Sequence, residues 1–270
     1  MFSETSPEIS EKELKEEKVK QAFEDLEVEF SWDKNPKILE RLAETNEHFA
    51  DAVAIAKIIE QSWEESEGGL NKKEMLLCGL LHDIGKSGPN QADEETRTVI
   101  QKLFIHKNSE TSPTLPIAEF LQKENFTDQK YLLQILKEKL NIKPETESMI
   151  TFWRRHVDWT WDILKNNSTQ EITEEVATVA ASHHILDQKN PANLDIDNIP
   201  ESAQFLEITD KYILLTLADK YQAFIERNKK SHNEAIRAIQ KMIEQSNLSE
   251  KIQKKYFTIL KKIHKQNIDI

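Results

Sequence analysis

The sequence predicts an all-α protein with one large domain. Glycine and proline, 5 and 8 in 270 residues, are too few for a turn-rich β protein. Apolar residues recur at helical spacing over long runs. In ILERLAETNEHFADAVAIAKIIEQSW, Ile38, Leu42, Ala52, Ile55, Ile58 and Ile59 form a broad stripe. No stretch alternates with period two for long enough to make a strand.

Taken in order, residues 1–34 read as a charged helical arm, with Glu and Lys at i,i+4 spacing. A solvated helix or frayed arm is the first expectation, and a partner-binding helix the second. Residues 35–270 form the domain proper. Its first core helix begins at Pro36 and is broken by Gly68-Gly69. A second helix runs from about Lys72 to Ile84, with Gly85 in the C-cap position and Gly88-Pro89 marking the stop. Residues 90–143 read as a variable helical insertion, with helices near 93–105, 116–124 and 128–140 around the Ser/Thr/Pro stretch NSETSPTLP. Helices then follow over Pro144–Asn166, Thr173–Ile185 and Ser202–Arg227, and two closing helices fill 230–270.

A chain that is 38% hydrophobic and 31% charged can bury a core beneath a heavily charged surface. The net charge of −12 argues against long nucleic acid as a partner, since phosphate tracking needs a basic face. A small anion is compatible, because bound metal reverses the local sign. Cys78 is the single cysteine, so no intrachain disulfide forms. The acidic, polar N-terminus does not resemble a signal peptide, and no apolar run approaches the ~18 residues of a membrane span. A cytoplasmic protein without a membrane partner is expected, associating as a homodimer or with a protein through the arm.

The apolar helix in MLLCGLLHDIGKS ends by placing His82 beside Asp83. Burying that pair bare would be costly, so it needs partners. Histidines and carboxylates recur on other apolar helices: Glu44 and His48 four residues apart, His156 in WRRHVDW, His183-His184, and Asp219 in LLTLADKYQAF. One metal cluster would satisfy them together. Nitrogen and oxygen donors without thiolate suit Fe or Mn, with Zn, Ni and Co as alternatives. Lys86 reads either as a cation at a helix C-terminus or as a catalytic charge near phosphate. His106, His232 and His264 read as surface residues. Trp153, Trp159 and Trp161 read as core packing rather than a base-stacking platform, while Arg154 and Arg155 are either solvated or near phosphate.

This ordered series resembles the HD superfamily of metal-dependent phosphohydrolases, and within it the HD-GYP phosphodiesterases that hydrolyse cyclic di-GMP. The similarity spans about residues 38–230. It implies a helical HD bundle with two or three divalent ions in its core. The implied ligands are Glu44, His48, His82, Asp83, His156, His183, His184 and Asp219. Asp83 would bridge two ions and Lys86 would be catalytic, with a bridging hydroxide attacking phosphorus in line. A carboxylate in the place of Glu44 marks members that hold three ions. The namesake loop departs from the pattern. HHILDQKNPANLD keeps Asp187 and Pro191 but has Ile185 for the expected glutamate and lacks the Gly-Tyr pair. Lys189 in that loop is read as solvated rather than touching phosphate, and Gln222 replaces a second aspartate. The expected function is therefore metal-dependent hydrolysis of a nucleotide phosphoester, cyclic di-GMP foremost. The alternative is a degenerate module that binds metal and a nucleotide or protein without turnover. A di-iron oxygenase and a nuclease are weaker readings.

Overall fold

The structure, a computed structural model, describes residues 10–63, 70–105, 111–184, 186, 203–246 and 248–266. Among them the architecture is all-α, as expected. The helices are α1 (Glu11–Asp25), α2 (Pro36–Glu44), α3 (Asn46–Ser62), α4 (Lys72–Leu81), α5 (Glu94–Ile105) and α6 (Ile117–Lys123). They continue with α7 (Gln129–Leu140), α8 (Met149–Asn166), α9 (Glu174–Ala181), α10 (Ala203–Glu226), α11 (His232–Glu244) and α12 (Glu250–Gln266). No described helix is long and apolar enough to cross a membrane.

The N-terminal arm is part of the main core, which corrects the expectation of a solvated or frayed helix. Val19 and Phe23 of α1 are 0% and 1% exposed, and α1 packs on α2 and α3. Phe23 meets Trp32 edge-on at 4.7 Å and lies 6.5 Å from Phe49 of α3. Among the described residues of the arm, Val19 and Phe23 are spent within the chain, while Leu14 stays 50% exposed beside the Glu/Lys face. Ser10 caps the helix through a reciprocal bond with Glu13, which explains where α1 starts.

The expected first core helix is two helices. Thr45 leaves helical geometry (φ −93°, ψ 28°), and its hydroxyl turns back to the carbonyls of Arg41 and Leu42 at 3.1 and 3.2 Å. That competes with the continuing ladder. Likewise α8 begins at Met149 rather than Pro144, because Ser148 caps it through Thr151 N–H and the Glu147 carbonyl accepts from Ile117 instead.

Residues 99–152 carry a second apolar cluster, in which Leu103, Phe120, Leu136 and Phe152 are each fully buried. Trp153 and Trp159 pack against it, and the Trp153 indole donates to the Leu103 carbonyl at 2.9 Å. Trp161 lies under Lys165, whose Nζ is 4.3 Å from the ring centroid. Arg154 is exposed, and Arg155 is held by Glu147 through two 2.8 Å bonds. Helix α8 joins the two clusters, its first half serving the second and its last residues the main core.

Candidate metal centre

The centre forms where α3, α4, α8, α9 and α10 converge. α4 ends at Leu81, His82 is its C-cap, and a 3-10 turn over Ile84–Ser87 follows Asp83. This corrects the role expected of Gly85. It lies inside the 3-10 turn, and the positive φ (+94°) belongs to Gly88. Gly85 is needed for closeness: a Cβ there would stand 2.0 Å from the His156 carbonyl oxygen and 2.4 Å from Thr160 N of α8. The gap is stitched by Thr160, whose hydroxyl accepts from Gly85 N–H at 3.0 Å and donates to the His82 carbonyl at 2.9 Å. We expect Thr160→Val to cost about 1–3 kcal/mol, because both buried backbone groups lose a partner. Chemical denaturation reads this, and an unchanged midpoint would show the staple to be dispensable.

Three histidines share one orientation device. Nδ1 of His82, His156 and His183 each lies against the carbonyl three residues earlier, of Gly79, Trp153 and Ala180, at 2.8, 2.6 and 2.9 Å. A carbonyl only accepts, so each Nδ1 carries the proton and each Nε2 presents a bare lone pair. These Nε2 atoms converge. Those of His156 and His183 are 3.0 Å apart, and the buried His82 Nε2 has no hydrogen-bond partner. Burial pushes the His156 pKa down to about 3 and that of His183 well below the ordinary value, so both rings stay neutral. Burial also opposes charge on His82, but the neighbouring Asp83 outweighs it and raises that pKa.

Asp83 lies between these rings. One carboxylate oxygen is 3.4 Å from His156 Nε2 and 3.6 Å from His183 Nε2. The other is 3.3 Å from His82 Nε2 and accepts from Lys86 Nζ. Burial raises the Asp83 pKa, yet Lys86 and His82 together hold it well below the usual carboxylate range. Asp219 of α10 approaches from the far side, its Oδ1 4.0 Å from His82 Nε2. Burial pushes its pKa up, and Lys220, His184 and His82 pull it lower.

Two groups of donors result: His82, Asp83 and His183, and His156, His183 and His184, with donor atoms in each group within 4.8 Å of one another. His184 differs from the other three, its Nδ1 facing Lys220 Nζ at 3.2 Å. His48 is buried beside Lys86, with Nδ1 3.5 Å from Nζ, and Phe104 of α5 stands 6.4 Å from its ring and 6.0 Å from that of His156. The segment 90–143 therefore supplies a wall of the centre.

Glu44 is not brought in. It ends α2, one residue before the break at Thr45, so the shared helical face with His48 is lost. Its carboxylate is held by Arg97, with Nε at 3.0 and 2.9 Å from the two oxygens. His232 and His264 also depart from expectation. They are partly buried, their rings stack at 4.7 Å, and Tyr221 Oη bonds His232 Nδ1 at 2.7 Å. Cys78 is buried as expected, its thiol donating to the Val176 carbonyl at 3.6 Å. His106, Ile185, Asp187, Lys189 and Pro191 lie outside the described residues.

Sequence reasoning missed Arg41. It is 0% exposed, and its guanidinium donates to the carbonyls of Ser87, Pro89 and Asn90 at 2.8, 3.0 and 3.1 Å. It thereby fixes the turn that carries Lys86. Burial, with Arg97 nearby, lowers its pKa to about 10. An arginine inside an otherwise apolar helical stripe was the available signal.

The donor set fits a metal on this geometry. Two bare lone pairs 3.0 Å apart repel unless a cation lies against both, and an orphaned buried Nε2 aims at the same place. Neutral imidazoles and an ionised carboxylate are the forms that ligate. Comparison with curated proteins and with solved structures found no match. A family model, that of the HD domain, matches residues 45–223, well over half of the chain, and includes every convergent residue above while leaving Glu44 outside. The chain belongs to the HD domain family of metal-dependent phosphohydrolases.

Proposed function

We propose that the chain hydrolyses a phosphoester of a nucleotide, with cyclic di-GMP the first substrate to test. The observation that carries this reading is a buried carboxylate, Asp83, whose two oxygens face different histidines beside the ammonium of Lys86. The ions would be held by the two convergent groups, His82, Asp83 and His183 with Asp219 alongside, and His156, His183 and His184, with Asp83 between them and His48 at the margin. When bound, divalent ions supply Lewis acidity and a water acidic enough to serve as nucleophile near neutral pH.

The chain's own residues do the rest. The backbone bonds at Nδ1 orient the rings before any ion or substrate arrives. Side-chain charges of opposite sign are paired here, Asp83 and Asp219 against Lys86 and Lys220, with His156 and His183 held neutral by burial. Dications would leave this centre positive inside a chain of net charge −12, which would favour a phosphate there over the rest of the protein. Lys86 stands where its ammonium can turn from Asp83 to a phosphoryl oxygen as charge develops there.

The altered loop after His184 favours a second reading, a module that holds metal and ligand without turnover. The two separate by chromatography after incubating cyclic di-GMP with anaerobically prepared, iron- or manganese-loaded protein. Linear dinucleotide or GMP from the intact protein, absent with the double variant His82→Ala, Asp83→Ala, is the expected result. Metal-replete protein giving no product removes cyclic di-GMP, and failure across nucleotide phosphoesters moves the assignment to the binding module.

A further inference from the structure

We infer that a cavity between the end of α3, α10 and α12 binds a small oxyanion: phosphate, free or as the phosphoryl group of a small organic phosphate. The cavity measures about 90 Å³. Its walls are Ser62 and Trp63 at the end of α3, Lys211 and Leu214 of α10, and Ile259 and Lys262 of α12. One water needs roughly 10–15 Å³, so a group the size of phosphate fits. A wider hollow of about 220 Å³ adjoins it, sharing Asp210, Ile259 and Lys262 and adding Lys254, Lys255 and Thr258. None of these residues belongs to the metal centre. Ser62 lies fourteen residues beyond His48 on α3, about 21 Å along a helix, and Lys211 lies eight before Asp219 on α10, about 12 Å.

Two buried donors in the cavity wall are short of acceptors. Ser62 is 4% exposed, and its hydroxyl has no hydrogen-bond partner. Lys211 is also 4% exposed. Its ammonium carries three N–H groups and, among the described residues, meets one acceptor, Glu175 Oε1 at 2.9 Å. Burying donors in this state is costly, and an anion seated between them offsets that cost with charge-assisted bonds. A cation is the wrong ligand beside an ammonium that only donates. The one carboxylate in the walls, Asp210, is exposed and already paired with Lys255 at 2.9 Å. Cavity and hollow together set Lys211, Lys254, Lys255 and Lys262 against that single aspartate, reversing locally the sign of a chain of net charge −12. Trp63, Leu214 and Ile259 supply apolar walls that keep these bonds from being screened by water.

The test uses full-length protein treated with chelator, so that no metal ion competes for phosphate. Inorganic phosphate and GMP are titrated by calorimetry and by thermal shift, with chloride at matched ionic strength as the control. Wild type should bind one phosphate per chain and rise in Tm. Ser62→Ala should leave the ligand-free Tm unchanged or higher, since it deletes an unpartnered hydroxyl, yet weaken phosphate about tenfold or more. Lys211→Met should weaken it further, because Glu175, with a side chain 42% exposed, rehydrates while the anion loses its buried cation. Lys137→Gln on α7 should change nothing. GMP binding tighter than phosphate would seat the organic part over the hollow, whereas equal affinity would make the phosphoryl group the whole ligand, and either sustains the site. A response that chloride reproduces, or phosphate binding that neither Ser62→Ala nor Lys211→Met weakens, overturns it. Should Lys211→Met fail to fold by circular dichroism, Ser62→Ala decides alone.

Discussion

Gly85→Ala should unfold the heart of the molecule while Gly79→Ala, six residues earlier, is nearly silent. At Gly85 the new methyl would overlap backbone: the His156 carbonyl oxygen at 2.0 Å and Thr160 N at 2.4 Å. Neither atom can move without shifting α8, which carries His156. Overpacking of a core typically costs about 1–3 kcal/mol, and a collision with backbone belongs at or beyond the upper end. About 3 kcal/mol corresponds to a fall in Tm of roughly 6–12 °C for a protein near this size. Metal affinity should fall with it, since His82, Asp83 and His156 lie on the two elements forced apart. At Gly79 the nearest atom is the end of the Ile59 side chain at 2.9 Å, which can give, with Ala56 Cα next at 3.2 Å. Replacing a mid-helix glycine also gains about 0.5–1 kcal/mol. Thermal unfolding of both variants reads the contrast directly, and equal Tm values would show that α8 tolerates displacement from the 3-10 turn.

That contrast also marks how far the sequence could be read. The fold class and most helix positions were legible because apolar spacing and caps are local. The convergent donors were legible because His156 and Asp219 sit on buried helices, and His82 and His183 directly follow the ends of two others. What failed was whatever depended on a partner distant in sequence. Glu44 and His48 have ligand spacing, and nothing near them in the chain reveals that Arg97, 53 positions on, claims the carboxylate. Gly85 looked like a C-cap because glycine after a helix usually is one, whereas α8 sets its real constraint. The arm looked solvated because its Lys and Glu outnumber its apolar residues, yet Val19, Phe23, Leu26 and Val28 are buried in the main core. His232 and His264, 32 positions apart, showed no local sign of stacking. In each case the missing information is a tertiary contact, to which periodicity is blind.

Divalent metal should stabilise the folded chain strongly, and His183→Ala should erase that gain while costing the metal-free protein comparatively little. An ion that binds only the native state adds about 2.7 kcal/mol at a concentration a hundred times its dissociation constant. Each ion so bound translates into a rise in Tm of roughly 5–11 °C, measured between chelator-treated and manganese-loaded protein. His183 is the donor common to both groups of ligands, so its loss damages both at once. In the metal-free protein its Nε2 faces that of His156 at 3.0 Å, lone pair to lone pair, and removing one of them relieves a repulsion. Against this stand the lost packing of a ring that is 1% exposed and the freed Ala180 carbonyl. A variant with near-native metal-free Tm and no response to manganese would therefore identify His183 as a residue kept for its ion. If the variant instead lost much stability without metal and still responded to manganese, His183 would be a packing residue and the donors would have to lie elsewhere. The comparison needs no substrate, which lets it settle the site even before the reaction is known.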